Sequence, residues 1–206
     1  SRLTAKLSKF EFIDSLRGSF KGLEGKILIT EKMALFRADS PSIQIDSDIY
    51  LDSQILLNSL ESDVFFIKEN DMYDISSKSI KAFFGENTLE ASLHFNPLSL
   101  DTLGDLSFAA TVTGIDLDKA TMLIPNINAI QFTKSWISQY LNCGQVNKAS
   151  LTLRTPLDYL FLESTLGFQM ALEASNTCMN FSSLELKAMD FHAEVDNYKL
   201  KGTLLG

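Results

Sequence analysis

The residues able to do chemistry are few, and their spacing assembles none of the familiar catalytic machinery. Only two histidines, His94 and His192, are available as a general base or metal ligand. Each stands among alternating apolar and polar residues, so each reads as a solvent-side strand residue rather than a member of a triad or zinc site. Asp46, Asp48 and Asp52 invite a calcium reading, but an EF-hand loop would need Gly at 51 and Glu at 57, where Leu51 and Leu57 stand. Asp101 with Asp105, and Asp116 with Asp118, are carboxylate pairs of the kind glycoside hydrolysis uses. Turn-forming Asp accounts for them more simply. Gly18, Gly22 and Gly25 lack the spacing of a phosphate cradle and read as turns around a bend. No GxSxG, HExxH, GxxxxGK[ST] or GxGxxG occurs. Cys143 and Cys178 stand too far apart for a CxxC motif or a metal pair; two buried free thiols are expected, with a disulfide as the alternative. Asn180-Phe181-Ser182 is formally a glycosylation acceptor and is given no role. The expectation is a non-enzymatic chain without metal or cofactor.

Such a chain acts through its surfaces, and composition narrows which. The 206 residues are 45% hydrophobic, with 18 basic against 26 acidic side chains and a net charge of -8. That balance argues against nucleic acid, and against an anionic membrane surface, as the main electrostatic partner. No apolar run approaches the roughly 20 residues of a spanning helix. The chain opens on Ser1 and closes on Thr203-Leu204-Leu205-Gly206, an unfinished apolar strand. It is therefore expected to be a segment of a longer polypeptide, and the missing leader carries no information.

The elements that must position any functional surface are strands. Leu89, Ala91, Leu93 and Phe95 alternate with Glu90, Ser92 and His94, and Phe168, Met170, Leu172 and Ala174 alternate with Gln169, Ala171 and Glu173. A period of two marks half-buried strands. The same period runs through residues 43–46, 108–112, 151–153, 184–188, 191–195 and 198–202. Turn residues at 39–42, 86–87, 101–104, 175–176 and 196–197 predict antiparallel order through successive hairpins. One segment breaks the period. Phe132, Trp136, Ile137, Tyr140 and Leu141 fall on one face of a helix expected over 133–142, capped by Thr133 or Ser135 and stopped by Asn142-Cys143-Gly144. The fold class is thus mostly β, an extended, twisted antiparallel sheet with one short helix. Its apolar face must be hidden by folding on itself, by closing as a barrel, or by holding something apolar.

The order of features resembles a known family. Leu3 to Leu7, then Gly22-Leu23-Glu24-Gly25-Lys26-Ile27, then Ala34 to Ser40 are similar to a "Gly-Leu-x-Gly" turn and a strand meeting a "Leu-x-Leu-x-Ser" strand. Leu117-Asp118-Lys119-Ala120 to Ile124-Pro125, the Trp136 helix, and Gly144-Gln145-Val146 leading into Ala149-Ser150-Leu151-Thr152-Leu153 follow in the same order. Together they resemble the AsmA-like superfamily, specifically its YhdP-like branch. The chain departs from that branch at Asp158-Tyr159-Leu160-Phe161 and Gly167-Phe168, where the branch carries "Phe-Pro-Phe".

The resemblance implies that residues 1–206 form one β-groove segment, with strands over 1–132, the helix over 133–142 and strands over 143–206. It implies a place on the periplasmic face of the cell envelope, in a protein anchored in the inner membrane through parts outside this segment. It implies phospholipid acyl chains as partners, carried in an apolar groove between inner and outer membrane. Phe108, Ala110, Val112, Phe168, Met170, Leu172, Leu184, Leu186, Phe191, Ala193 and Val195 are expected to line the groove, and Asp at Phe168 or Leu184 to expel lipid. The helix either covers a groove edge or packs on the sheet. Two other readings stay open: a β-sandwich interaction module with a closed core, and a carbohydrate-active enzyme built on Asp101, Asp105, Asp116 and Asp118.

Overall fold

A computed structural model describes residues 2–14, 18–47, 51–69, 72–96, 104–124, 126, 128–156, 167–181, 184–196 and 199–205. In chain order the strands are β1 (Leu3–Asp14), β2 (Gly18–Ile29), β3 (Met33–Ser40), β4 (Ile43–Asp46), β5 (Ile55–Leu57), β6 (Ser59–Glu69), β7 (Met72–Phe84), β8 (Asn87–Asn96) and β9 (Asp105–Asp116). Two helices follow, α1 (Leu117–Met122) and α2 (Asn128–Tyr140). The chain then returns to β10 (Leu141–Pro156), β11 (Gly167–Phe181), β12 (Leu184–Asp196) and β13 (Lys199–Leu205).

All 13 strands join one antiparallel sheet that is not closed into a barrel. Its topology is a meander. Both β3 and β4 run along the same side of β2, and β6 and β5 pair with them in turn. Each of these pairs is one long strand line interrupted by a kink, so neighbours in sequence are neighbours in the sheet from β1 at one edge to β13 at the other. Residues 39–42, expected as a turn, include the kink at Pro41-Ser42, where the chain bends without reversing. Gly22 lies opposite it with φ +89°, and a Cβ there would collide with the Ser42 carbonyl oxygen. Gly18, Gly22 and Gly25 therefore serve within β2 rather than forming a turn.

Register carries the alternation across the sheet. Leu3, Ile29, Ala34, Phe66, Ile75, Phe95 and Leu106 stand opposite one another in succession from β1 to β9. A parallel row runs from Leu89 through Val112, Ala149 and Leu172 to Ala193, and another from Ala91 through Ala110, Leu151 and Met170 to Val195. Cross-strand partners point to one face, so these rows build a continuous apolar surface. Glu90, Thr111, Ser150, Ala171, Glu194 and Lys201 form a row on the other face. That face carries exposed ion pairs, among them Arg37 with Asp63 at 2.8 Å and His94 with Asp74 at 2.7 Å.

Several local expectations change. Ser175-Asn176 is no turn but a bulge inside β11, where Asn176 takes φ 51° and the pairing with β12 shifts register. The helical segment comprises two helices rather than one, inserted between the paired strands β9 and β10. Helix α2 begins at Asn128, so Thr133 and Ser135 lie inside it and Leu141 already belongs to β10. Cys143 and Cys178 are joined as a disulfide with their Cα atoms 5.0 Å apart, and no free thiol remains. They are cross-strand partners, reached from the Leu153–Phe168 pairing through register shifts at Val146/Lys148 and Cys143/Gln145 that cancel. Among the described residues there is one sheet, so the two-layer sandwich is not built. Asp48, Asp101, Pro125, Asp158 to Phe161, Ser182, Asn197 and Tyr198 lie outside the described residues.

Candidate functional site

The apolar face is partly covered and partly open, and the cover is the α1–α2 insert. Ile115, Leu117, Ala120, Ile137, Val146, Leu172 and Phe191 pack as one cluster, bringing both helices onto β9 to β12. Ile130, at the start of α2, packs with Leu153, Phe168 and Val195. Trp136 stacks on Phe191 with ring centroids 5.9 Å apart and sits 5.6 Å from Tyr140. The insert also reaches strands far away in the sheet. Leu123 joins a third cluster built on Ile43, Ile55, Leu57 and Ala82, and the Asn126 amide donates to an Asp52 carboxylate oxygen at 3.0 Å. A single sheet can meet the insert from both β9–β12 and the β4–β5 connection only by bending round it, so the apolar face is the concave one.

Lys134 fixes this closure. It is 4% exposed, yet its ammonium donates to the Ile124 carbonyl at 2.9 Å and to Asn126 Oδ1 at 2.7 Å. Its third contact is Asp52 Oδ2, at 2.7 Å. The ammonium has three protons, and all three are placed. Hydrogen bonds from Lys134 and then Asn126 hold the Asp52 carboxyl below its ordinary value. Since the folded value is depressed, the contribution is complete above an ordinary carboxyl value of about 3.9 and is lost as pH falls through the folded one. A buried lysine inside an amphipathic helix went unrecognised in the sequence because its acceptors come from other segments. The same helix leaves Phe132 70% exposed, so of the expected face Ile137 and Trp136 pack inward while Phe132 does not, and Ile130, Thr133 and Lys134 are buried beside Ile137.

The expected lining residues divide by their cover. Phe108, Ala110, Val112, Phe168, Met170, Leu172, Phe191, Ala193 and Val195 do share the concave face. Phe168, Phe191, Ala193 and Val195 are sealed beneath the insert, each at most 5% exposed. Phe108, Ala110, Val112, Met170 and Leu172 border a cavity of about 220 Å³ between the insert and the sheet. Leu186 packs beside Met179 at the far end of β12, and Leu184, 55% exposed, stands beyond the cover.

Among the described residues the uncovered stretch lies elsewhere, over β2, β3 and β6 to β8. Ile29 is 40% exposed and Phe66 39%, while Ile27, Phe36, Val64, Ile75, Leu93 and Phe95 are half-buried and belong to none of the packed clusters. Alternation through Leu93 and Phe95 was visible in the sequence, but nothing there distinguished strands under the insert from strands beside it.

The described acidic and histidine residues pair locally on the surface. Asp116 holds Lys119 at 2.8 Å on the surface, His192 faces Glu194 at 3.3 Å, and among the described residues no cluster of ligand-forming side chains is disposed to hold a metal. The face can bind, by excluding water from an apolar guest. No protein family, curated protein or solved structure matches the chain.

Proposed function

We propose that this chain is a non-enzymatic conduit segment of the bacterial envelope, whose concave face carries phospholipid acyl chains between inner and outer membrane, as its resemblance to the AsmA-like superfamily and the YhdP-like branch suggests. The observation that carries the reading is the in-register apolar surface whose rows run from β1 to β9 and from β8 to β12, uncovered by the described residues over β2, β3 and β6 to β8. A soluble protein rarely leaves so continuous an apolar surface in water without a guest for it. Moving two 16-carbon chains through water costs on the order of 25 kcal/mol, at about 0.8 kcal/mol per methylene. A trough lined by Ile, Phe, Val and Leu removes most of that barrier while a head group stays wet. The Cys143–Cys178 disulfide supports an oxidising compartment such as the periplasm. No helix among the described residues is long and apolar enough to cross a membrane, so attachment to the inner membrane falls to other parts of the protein.

The test is lipid carried through purification, measured by extraction and mass spectrometry on wild type and on Ile29→Asp and Phe66→Asp. Both positions are substantially exposed, so a charge there leaves folding nearly intact. The reading expects phospholipid on the wild type and its loss from both variants at unchanged melting temperature. A wild type free of lipid, or variants that retain it, contradicts the reading.

A further inference from the structure

The cavity beneath the insert has a cause in three alanines. Ala110 and Ala149 stand on adjacent strands of the sheet, and Ala120 faces them from α1. Larger side chains flank them in the same rows, Val112 and Leu172 beside Ala149 and Leu151 beside Ala110. Leu117 and Ala120 of α1 pack with Val112 and Leu172, and a space of about 220 Å³ remains above the alanines. Its walls are almost wholly apolar, so water gains few partners inside it.

We infer that this cavity is the seat for the methyl end of one unbranched acyl chain, with α1 as its roof. The inference rests on the proposed conduit function and adds to it a defined stopping place. Volume sets the size of the guest: an engineered apolar cavity of about 150 Å³ takes benzene, which scales to about nine chain carbons here. No lysine or arginine lines the cavity, so the carboxylate or phosphate end stays outside and the tail enters first. Phe108 borders the cavity and stands opposite Leu93 in the uncovered stretch. A longer chain therefore has a continuous apolar path from the seat along Leu93 toward Phe95 and Phe66. A free fatty acid and a phospholipid tail offer the same terminal chemistry.

The experiment uses delipidated protein with decanoate and, separately, didecanoyl phosphatidylglycerol, measured by titration calorimetry on wild type, Ala110→Leu and Ala149→Leu. One decanoate per chain is expected, weakened about tenfold or more in each filled variant, with melting temperature equal to or above that of wild type. Binding of decanoate alone makes free fatty acid the source; binding of both makes phospholipid tails the source, and either supports the seat. Undiminished decanoate binding by the filled variants overturns it, as does no binding by the wild type. Should a filled variant fail to fold, isotope-filtered NMR on the wild type decides: contacts from the decanoate terminal methyl to Ile137 and Leu172 support the seat, and contacts from the carboxyl end in their place overturn it. The two readings fail separately, because Ile29→Asp and Phe66→Asp report on the open trough while the alanine variants report on the cavity.

Discussion

Lys134 ties the insert to the β4–β5 connection, and the Cys143–Cys178 disulfide ties β10 to β11. Replacing Lys134 by Ala or Met leaves the Ile124 carbonyl and the Asn126 side chain short of a donor, while Asp52, 56% exposed, regains water. The expected loss is about 2 kcal/mol, below that of a fully buried pair broken on one side, read from chemical denaturation. The same latch predicts acid sensitivity. With the Asp52 carboxyl held below its ordinary value by Lys134 and Asn126, wild type should lose stability relative to Asp52→Asn as pH falls below about 4. The two proteins should differ most near neutrality. Cys143 and Cys178 close a loop with a sequence separation of 35. On chain-entropy grounds reduction, or the double replacement by Ser, should cost about 4 kcal/mol, measured as a lower denaturation midpoint in reductant.

Among the elements, the strands were legible because a period of two needs nothing but the local sequence, and residues 89–95 or 168–174 declare it plainly. Their interruptions were not. Pro41-Ser42 and Ser175-Asn176 have turn-forming side chains, yet the chain kinks at one and bulges at the other without reversing. Proline and asparagine report a local dihedral preference, while the partner strand decides whether the chain turns back. Gly22 shows the dependence: its φ of +89° and the Ser42 carbonyl beside it exclude a side chain. Gly22→Ala should therefore destabilise by about 1–3 kcal/mol, detectable as a lowered melting temperature. The helical insert was half legible. Apolar spacing located α2, but counting Phe132 inward misplaced part of its buried face, which includes Lys134 because its acceptors lie on Asp52, Ile124 and Asn126. Helix α1, with six residues, is too short for periodicity to reveal. Phe168 follows from the same packing. Sealed against Ile130 at 2% exposure, Phe168→Asp should unfold the region beneath the insert, seen as lost near-ultraviolet dichroism.

At the scale of the whole molecule, a meander of 13 strands with both edges open produces a concave apolar face. The insert divides it into a covered half with a cavity and an uncovered half. Sequence alternation foretold the face and named residues on it, and the division depended on where the β9–β10 connection folds back, which no spacing encodes. The central claim, that the open half holds acyl chains, makes a directional prediction about the two faces. It is tested most directly by placing photoreactive benzoylphenylalanine at Phe66 on the concave face or at Arg37 on the convex one, irradiating the protein in bacterial cells, and identifying adducts by mass spectrometry. The account predicts phospholipid crosslinked at position 66 and none at position 37. Adducts at both positions alike, or at neither, would contradict it.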